Sequence, residues 1–188
     1  MNIYINSIHP HMDLSGIELV TAARQKRIER YMRAEDKARC LTAGLLLRRV
    51  CGVTDDSQLY YGGQGKPYLK DGGPFFSIAH SGDYVVLATA EREVGVDIEK
   101  VTEYSEAVEA RCFTAEEQKW LNGDPERFYR IWTAKESVMK ATGLGFSLAP
   151  NSFCTLPFDS SPRVISGRNW CFDWVSFEGY LVCCAVEG

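Results

Sequence analysis

The sequence predicts an α+β fold of two similar α/β halves related by a pseudo-twofold, with antiparallel strands packed on helices and one active site at their seam. Segments of the two halves echo each other in the same order: Arg30–Asp36 with Arg111–Glu117, Thr42–Val53 with Thr133–Leu144, and Gly82–Ala88 with Gly179–Ala185. Ile3–Asn6 also lines up with Val94–Asp97, which divides the chain into residues 1–92 and 93–188. Charge breaks the symmetry. Asp97, Glu99 and Glu136 stand where the first copy has Asn6, Ile8 and Leu45, so the acidic residues belong to one half only.

Taken in order, Asn2–Ile8 alternates as a strand, and Glu18–Arg33 and Ala34–Val50 read as helices, with Ala38, Leu41 and Leu45 near one apolar face of the second. Gly62, Gly63 and Gly65 mark a turn. Phe75–Ala79, Tyr84–Ala90 and Val94–Glu99 read as strands, the first two joined across Ser81–Asp83. An interrupted helical stretch covers Ser105–Leu121, with Thr114 as an N-cap. The clearest helix is Phe128–Ala141, closed by Gly143 in the usual C-cap position. Phe153–Val186 is strand-like.

Composition sets the class. The 188 residues are 45% hydrophobic and 24% charged, as in an ordinary soluble protein. A net charge of -4 argues against bulk binding to nucleic acid or an acidic membrane. No apolar run reaches the roughly 20 residues of a membrane span, and the opening MNIYINSIHPH lacks a signal-peptide layout. A cytoplasmic protein is expected. The seven cysteines include no CxxC pair, so they read as reduced residues and not as a zinc or disulfide framework.

The chemistry concentrates in two segments. In a strand over Val94–Glu99, Asp97 and Glu99 share one face, while Val96 and Ile98 share the other. On the following helix Trp132, Glu136 and Lys140 are spaced four apart and share a face. If that face meets the strand, three carboxylates converge where a hard cation such as Mg²⁺ takes oxygen ligands. The plain alternatives are a solvated strand end and a surface i,i+4 pair.

The wider sequences decide between these readings. GVDIE over Gly95–Glu99 and WTAKESVMK over Trp132–Lys140 resemble the paired signature of the 4′-phosphopantetheinyl transferases. FSIAHS over Phe76–Ser81 and GKP over Gly65–Pro67 resemble two upstream elements of that family. Length and duplication resemble its larger, pseudo-dimeric, surfactin-synthetase-activating group. The resemblance implies transfer of 4′-phosphopantetheine from coenzyme A to a serine of an acyl, peptidyl or aryl carrier protein, in a monomer. It implies that Asp97, Glu99 and Glu136 hold Mg²⁺ (or Mn²⁺), and that Lys140 and Lys135 neutralise the coenzyme A pyrophosphate. It further implies that His80 meets the 3′-phosphate, and that Arg24, Arg27, Arg39 and Lys66 complete the coenzyme A cradle. The first half would thus hold the nucleotide, and the second the metal and the catalytic residues Glu136 and Lys140. Glu136 is the expected base, with Glu117 or water as the alternative. Val101–Phe113 matches the family's carrier-docking region. Arg48 and Arg49, a basic pair at a helix end, are assigned no phosphate role. This chain departs from the family pattern at Ser77, Ala79 and Cys40, and carries Arg24 and Arg27 where lysines are usual. A Mg²⁺-dependent phosphoanhydride hydrolase and a non-catalytic carrier-binding module are the competing readings.

Overall fold

Helices and strands alternate in two runs, each a helix laid on a small antiparallel sheet. The computed structural model describes residues 1–188. The strands are β1 (Asn2–Ser7), β2 (Leu59–Tyr61), β3 (Pro67–Leu69), β4 (Phe75–Ser81), β5 (Tyr84–Ala90), β6 (Val94–Lys100), β7 (Arg163–Ile165), β8 (Arg168–Phe177) and β9 (Tyr180–Glu187). The helices are α1 (Ala22–Arg30), α2 (Ala34–Cys51), α3 (Glu106–Cys112), α4 (Ala115–Leu121) and α5 (Pro125–Thr142).

One sheet has the order β1-β5-β4 and a second β6-β9-β8-β7, so the first three strands of each correspond, while β2 and β3 pair as a two-stranded hairpin. The layers run α2, first sheet, second sheet, α5. Leu46 and Leu47 of α2 pack on Phe76, Val85 and Leu87. The opposite face of that sheet, with Val86 and Ala88, meets Val96, Ile98 and Val182 of the second. Val138 and Met139 of α5 close the far side against Trp170 and Ala185. The alternation of β6 is what lets it serve two layers: Val96 and Ile98 face the inter-sheet core, and Gly95, Asp97 and Glu99 face α5.

The duplication keeps one helix-to-strand contact, but the second copy has three helices (α3, α4 and α5) against two (α1 and α2), and the strands slide. Arg49 of α2 donates to Asn6 Oδ1 at 3.1 Å, where Lys140 of α5 donates to Asp97 Oδ1 at 2.5 Å. Asn6, however, stands one ladder step from the end pair Ser7–Tyr84, whereas Asp97 stands three steps from the end pair Lys100–Tyr180. Those extra residues of β6 carry Glu99, which has no counterpart within β1.

The local signals explain most boundaries. Thr114 and Glu117 form a reciprocal capping box at α4, Asp124 caps α5 ahead of Pro125, and Gly143 ends α5 at φ 68°. The helix expected over Glu18–Arg33 is shorter. Ile17–Leu19 is a single 3₁₀ turn, Val20 and Thr21 are extended, and α1 begins at Ala22, where Asp56 caps the Ala23 amide from 33 residues away. Leu45, expected on the apolar face of α2, is only half-buried. All seven cysteines are free. No helix is long and apolar enough to cross a membrane.

Candidate active site

The site forms where β4 of the first half runs beside β6 of the second. Ser77 Oγ accepts from the Val96 amide at 3.1 Å and Ser81 Oγ from the Lys100 amide at 3.3 Å, so two serines join the sheets without a ladder. Ser81 also donates to Glu99 Oε2 at 2.9 Å, which orients that carboxylate. Against the same strand, α5 makes its closest approach over Gly95. A Cβ there would lie 1.9 Å from the Ser137 carbonyl oxygen and 2.4 Å from the Ala141 nitrogen, so only glycine admits the helix.

That close approach brings Lys140 among the carboxylates. Its ammonium is 2.5 Å from Asp97 Oδ1 and 4.0 Å from Glu136 Oε2, and Glu99 adds to the attraction. Burial works against the lysine's charge, but Asp97, helped by Glu136 and Glu99, outweighs it and the pKa rises. Burial raises the Glu99 carboxyl above the usual range, reinforced by Asp97 and opposed by Ser81 and Lys140. Glu136 is raised by burial and by Asp97, against the pull of Lys140. The second Asp97 oxygen, Oδ2, is buried with no partner.

An orphaned carboxylate oxygen beside two carboxyls raised by burial is the donor chemistry that a small divalent cation satisfies. Asp97, Glu99 and Glu136 therefore fit such an ion by type and by facing direction. As they lie, no three His, Cys, Asp or Glu side chains are gathered tightly enough to chelate one, and Lys140 stands among the three carboxylates.

The first half contributes a basic cleft of about 350 Å³ that includes Arg24, Arg27, Arg39, Cys40, Tyr61 and His80 in its walls. Arg24 is held by the Cys40 carbonyl at 3.2 Å, and Arg27 by the Tyr31 hydroxyl at 3.2 Å. Arg39 is pinned between Asp36 Oδ1 and the Gly82 carbonyl, both at 2.6 Å. His80 stands near the end of β4; partial loss of hydration, then the charges of Arg39 and Lys140, lower its pKa. His80 thus links the basic cleft to the lysine–carboxylate cluster.

Two of the expected coenzyme A contacts lie elsewhere. The Lys135 side chain is 0% exposed, as is that of Glu117, which it meets at 2.8 Å. Its remaining protons go to the carbonyls of Pro150 at 2.7 Å and Phe153 at 2.6 Å. Glu117 in turn accepts from Thr114 and Thr155, so the alternative base is fully engaged inside the core. Lys66 is also turned inward, toward Glu93 and the end of α5. Both lysines sit in sequence motifs that suggest substrate contact, but their reach is decided by buried acids remote in sequence. Sequence reasoning gave Ser81 and Tyr61 no role, although the serine lay inside the quoted FSIAHS segment. His9 and His11 fall in a 3₁₀ turn after β1.

Comparison with known proteins agrees across most of the chain. Residues 93–185 match the model of the 4′-phosphopantetheinyl transferase superfamily, and residues 13–92 that of the 4′-phosphopantetheinyl transferase N-terminal region. The 4′-phosphopantetheinyl transferase gsp of Aneurinibacillus migulanus is 31% identical over 89% of this chain and 76% of its own length. The 4′-phosphopantetheinyl transferase Sfp of Bacillus subtilis is 30% identical over 73% of this chain and 66% of its own. The L-aminoadipate-semialdehyde dehydrogenase-phosphopantetheinyl transferase of Xenopus laevis is 34% identical over 73% of this chain and 55% of its own. The chain therefore spans two thirds or less of the length of the last two.

Proposed function

The chain belongs to the 4′-phosphopantetheinyl transferase superfamily, and we infer from that premise that it moves the 4′-phosphopantetheine arm of coenzyme A onto a serine of a carrier protein. The observation that carries the reading is the continuity of the site. A basic cleft from one half leads, past His80, to a lysine set among three carboxylates in the other. A bisphosphorylated nucleotide and a phosphoanhydride match that sequence of charges.

In this reading Arg24, Arg27, Arg39 and His80 hold the phosphates of the adenosine end, and residues 1–92 form the nucleotide-binding half. Lys140, kept protonated by Asp97, lies against the anhydride and offsets the charge that grows on its oxygens. Glu136, which stands four residues before Lys140 on the face of α5 that meets the site, takes the proton of the attacking serine. The serine oxygen bonds to the β-phosphorus, the anhydride bond breaks, and adenosine 3′,5′-bisphosphate leaves with the bonding pair. Asp97, Glu99 and Glu136 would hold Mg²⁺, or Mn²⁺ in its place, which when bound adds positive charge over the phosphate oxygens. Lys66, Lys135 and Glu117 take no direct part.

The carrier docks on α3 and the groove beside it, which includes Val108, Arg111, Trp132 and Phe146 in its walls. Phe146 is 68% exposed, an apolar contact for a carrier helix, while Arg111 meets its acidic side chains. Phe113 is core, packed on Phe128. The molecule acts as a cytoplasmic monomer, the second half supplying what a neighbouring subunit would. Neither the hydrolase nor the binding-module reading draws support from the relatives.

Following adenosine 3′,5′-bisphosphate release with and without an apo carrier protein tests this assignment. Release is expected only when the carrier is present and in step with its modification. Release without a carrier would replace the transferase by a hydrolase.

A further inference from the structure

The GKP lysine has a geometry that its sequence context does not suggest. Lys66 Nζ donates to Glu93 Oε2 at 2.5 Å, to the Val94 carbonyl at 3.1 Å and to the Ala141 carbonyl at 2.7 Å. An ammonium has three protons, so its donor capacity is spent. Only 7% of the side chain is exposed. Tyr68 completes the arrangement by donating to Glu93 Oε1 at 3.3 Å, with the ammonium 5.2 Å from its ring. A Cβ on Gly143, the residue that caps α5, would stand 3.3 Å from the Tyr68 hydroxyl and 3.4 Å from the Lys66 stem.

Three segments meet here: the β2–β3 hairpin of the first half, the entry to β6, and the last turn of α5. The Ala141 carbonyl lies in that last turn, where helical carbonyls lack an intrahelical partner, and a cation there complements the helix dipole. Its neighbour in sequence is Lys140. On the strand side, the Val94 carbonyl lies three residues before Asp97.

We propose that Lys66 is a positioning residue, a strap that fixes the end of α5 to the start of β6 and so sets Lys140 against Asp97, and that it does not contact coenzyme A. To reach a phosphate in the cleft, its ammonium must leave Glu93 and two buried carbonyls without their donor. Gly95 allows the helix to approach the strand, and Lys66 keeps its last turn from fraying there. The active lysine sits one residue before the strapped carbonyl, so a small displacement is felt in the reaction.

This inference rests on the transferase reading, and the experiment separates the two. Lys66→Met and Glu93→Gln are compared with the unaltered protein for kcat, for KM of coenzyme A, and for calorimetric binding of adenosine 3′,5′-bisphosphate. Lys66→Met is expected to lower kcat about tenfold, and Glu93→Gln to lower it in the same direction. KM and nucleotide affinity stay within about twofold. If Lys66→Met does not fold, Glu93→Gln and Tyr68→Phe, which keep the lysine, carry the same test. Loss of nucleotide affinity in Lys66→Met but not in Glu93→Gln would overturn the strap and make Lys66 a coenzyme ligand. An unchanged kcat beside a lowered melting temperature would overturn it too, leaving a purely structural contact. If the unaltered protein modifies no carrier, the transferase reading fails by itself. Amide exchange at residues 138–142 then decides the strap: faster exchange in Lys66→Met and Glu93→Gln upholds it, and unchanged exchange refutes it.

Discussion

Replacing Lys135 with methionine distinguishes a buried structural pair from a substrate contact. The substitution keeps an unbranched apolar stem of similar length but leaves Glu117 charged, 0% exposed and without its counter-ion at 2.8 Å. It also strips the carbonyls of Pro150 and Phe153 of their donor. Breaking one side of a buried ion pair costs about 3–5 kcal/mol. For a chain of this length, about 2–4 °C of melting temperature corresponds to each kcal/mol, so a fall of roughly 6–20 °C is expected by calorimetry. The double variant Lys135→Met/Glu117→Gln removes the stranded charge and recovers about 1–3 kcal/mol of that loss, a coupling that two independent residues would not give. Coenzyme A affinity of the folded single variant, measured below its transition, stays at the unaltered value. A fall under about 3 °C together with a tenfold weaker coenzyme A complex would refute the reasoning and return Lys135 to the substrate.

Three further perturbations follow from the same geometry. Burial holds the Glu136 carboxyl pKa above its unfolded value, so its stabilising contribution is complete below the unfolded pKa and is lost as pH rises through the folded one. Glu136→Gln should therefore raise the melting temperature at pH 7.5 more than at pH 4, while carrier modification falls about 10²–10⁴-fold; a lower melting temperature at pH 7.5 would contradict this. Loss of hydration, Arg39 and Lys140 depress the His80 pKa, so the free protein favours the neutral imidazole and a bound phosphate favours the charged one. After allowance for the titration of the coenzyme's own 3′-phosphate, whose second pKa is about 6, coenzyme A affinity should increase as pH falls below 7, and calorimetry on His80→Ala should find that increase gone. Gly95→Ala drives a methyl into the Ser137 carbonyl and the Ala141 nitrogen, so it should cost about 1–3 kcal/mol in urea unfolding and most of kcat.

What the sequence reveals depends on how local the cause is. The Thr114 N-cap, the Gly143 cap and the alternation of β6 depend on neighbours in the chain, and the structure matches each reading. The gathering of Asp97 and Lys140 was legible because both the period of a strand and that of a helix point at one seam. Failures come from tertiary causes. The Glu18–Leu19 segment has helical composition, but the extended Val20 and Thr21 and the distant Asp56 cap start the helix later. The β2–β3 hairpin went unread because its three-residue strands are too short to show a period. Lys66 and Lys135 were expected at the substrate because a long flexible side chain reaches in any direction. Glu93 and Glu117, which decide that direction, are 27 and 18 residues away in sequence.

The most direct measurement is the intact mass of an apo carrier protein after incubation with this protein, coenzyme A and Mg²⁺, alongside the Asp97→Asn variant. A gain of one phosphopantetheine group on the carrier's serine is expected, and little or none with Asp97→Asn, although that variant still binds the nucleotide. A carrier left unmodified by the unaltered protein, or modified equally well by Asp97→Asn, would contradict that expectation.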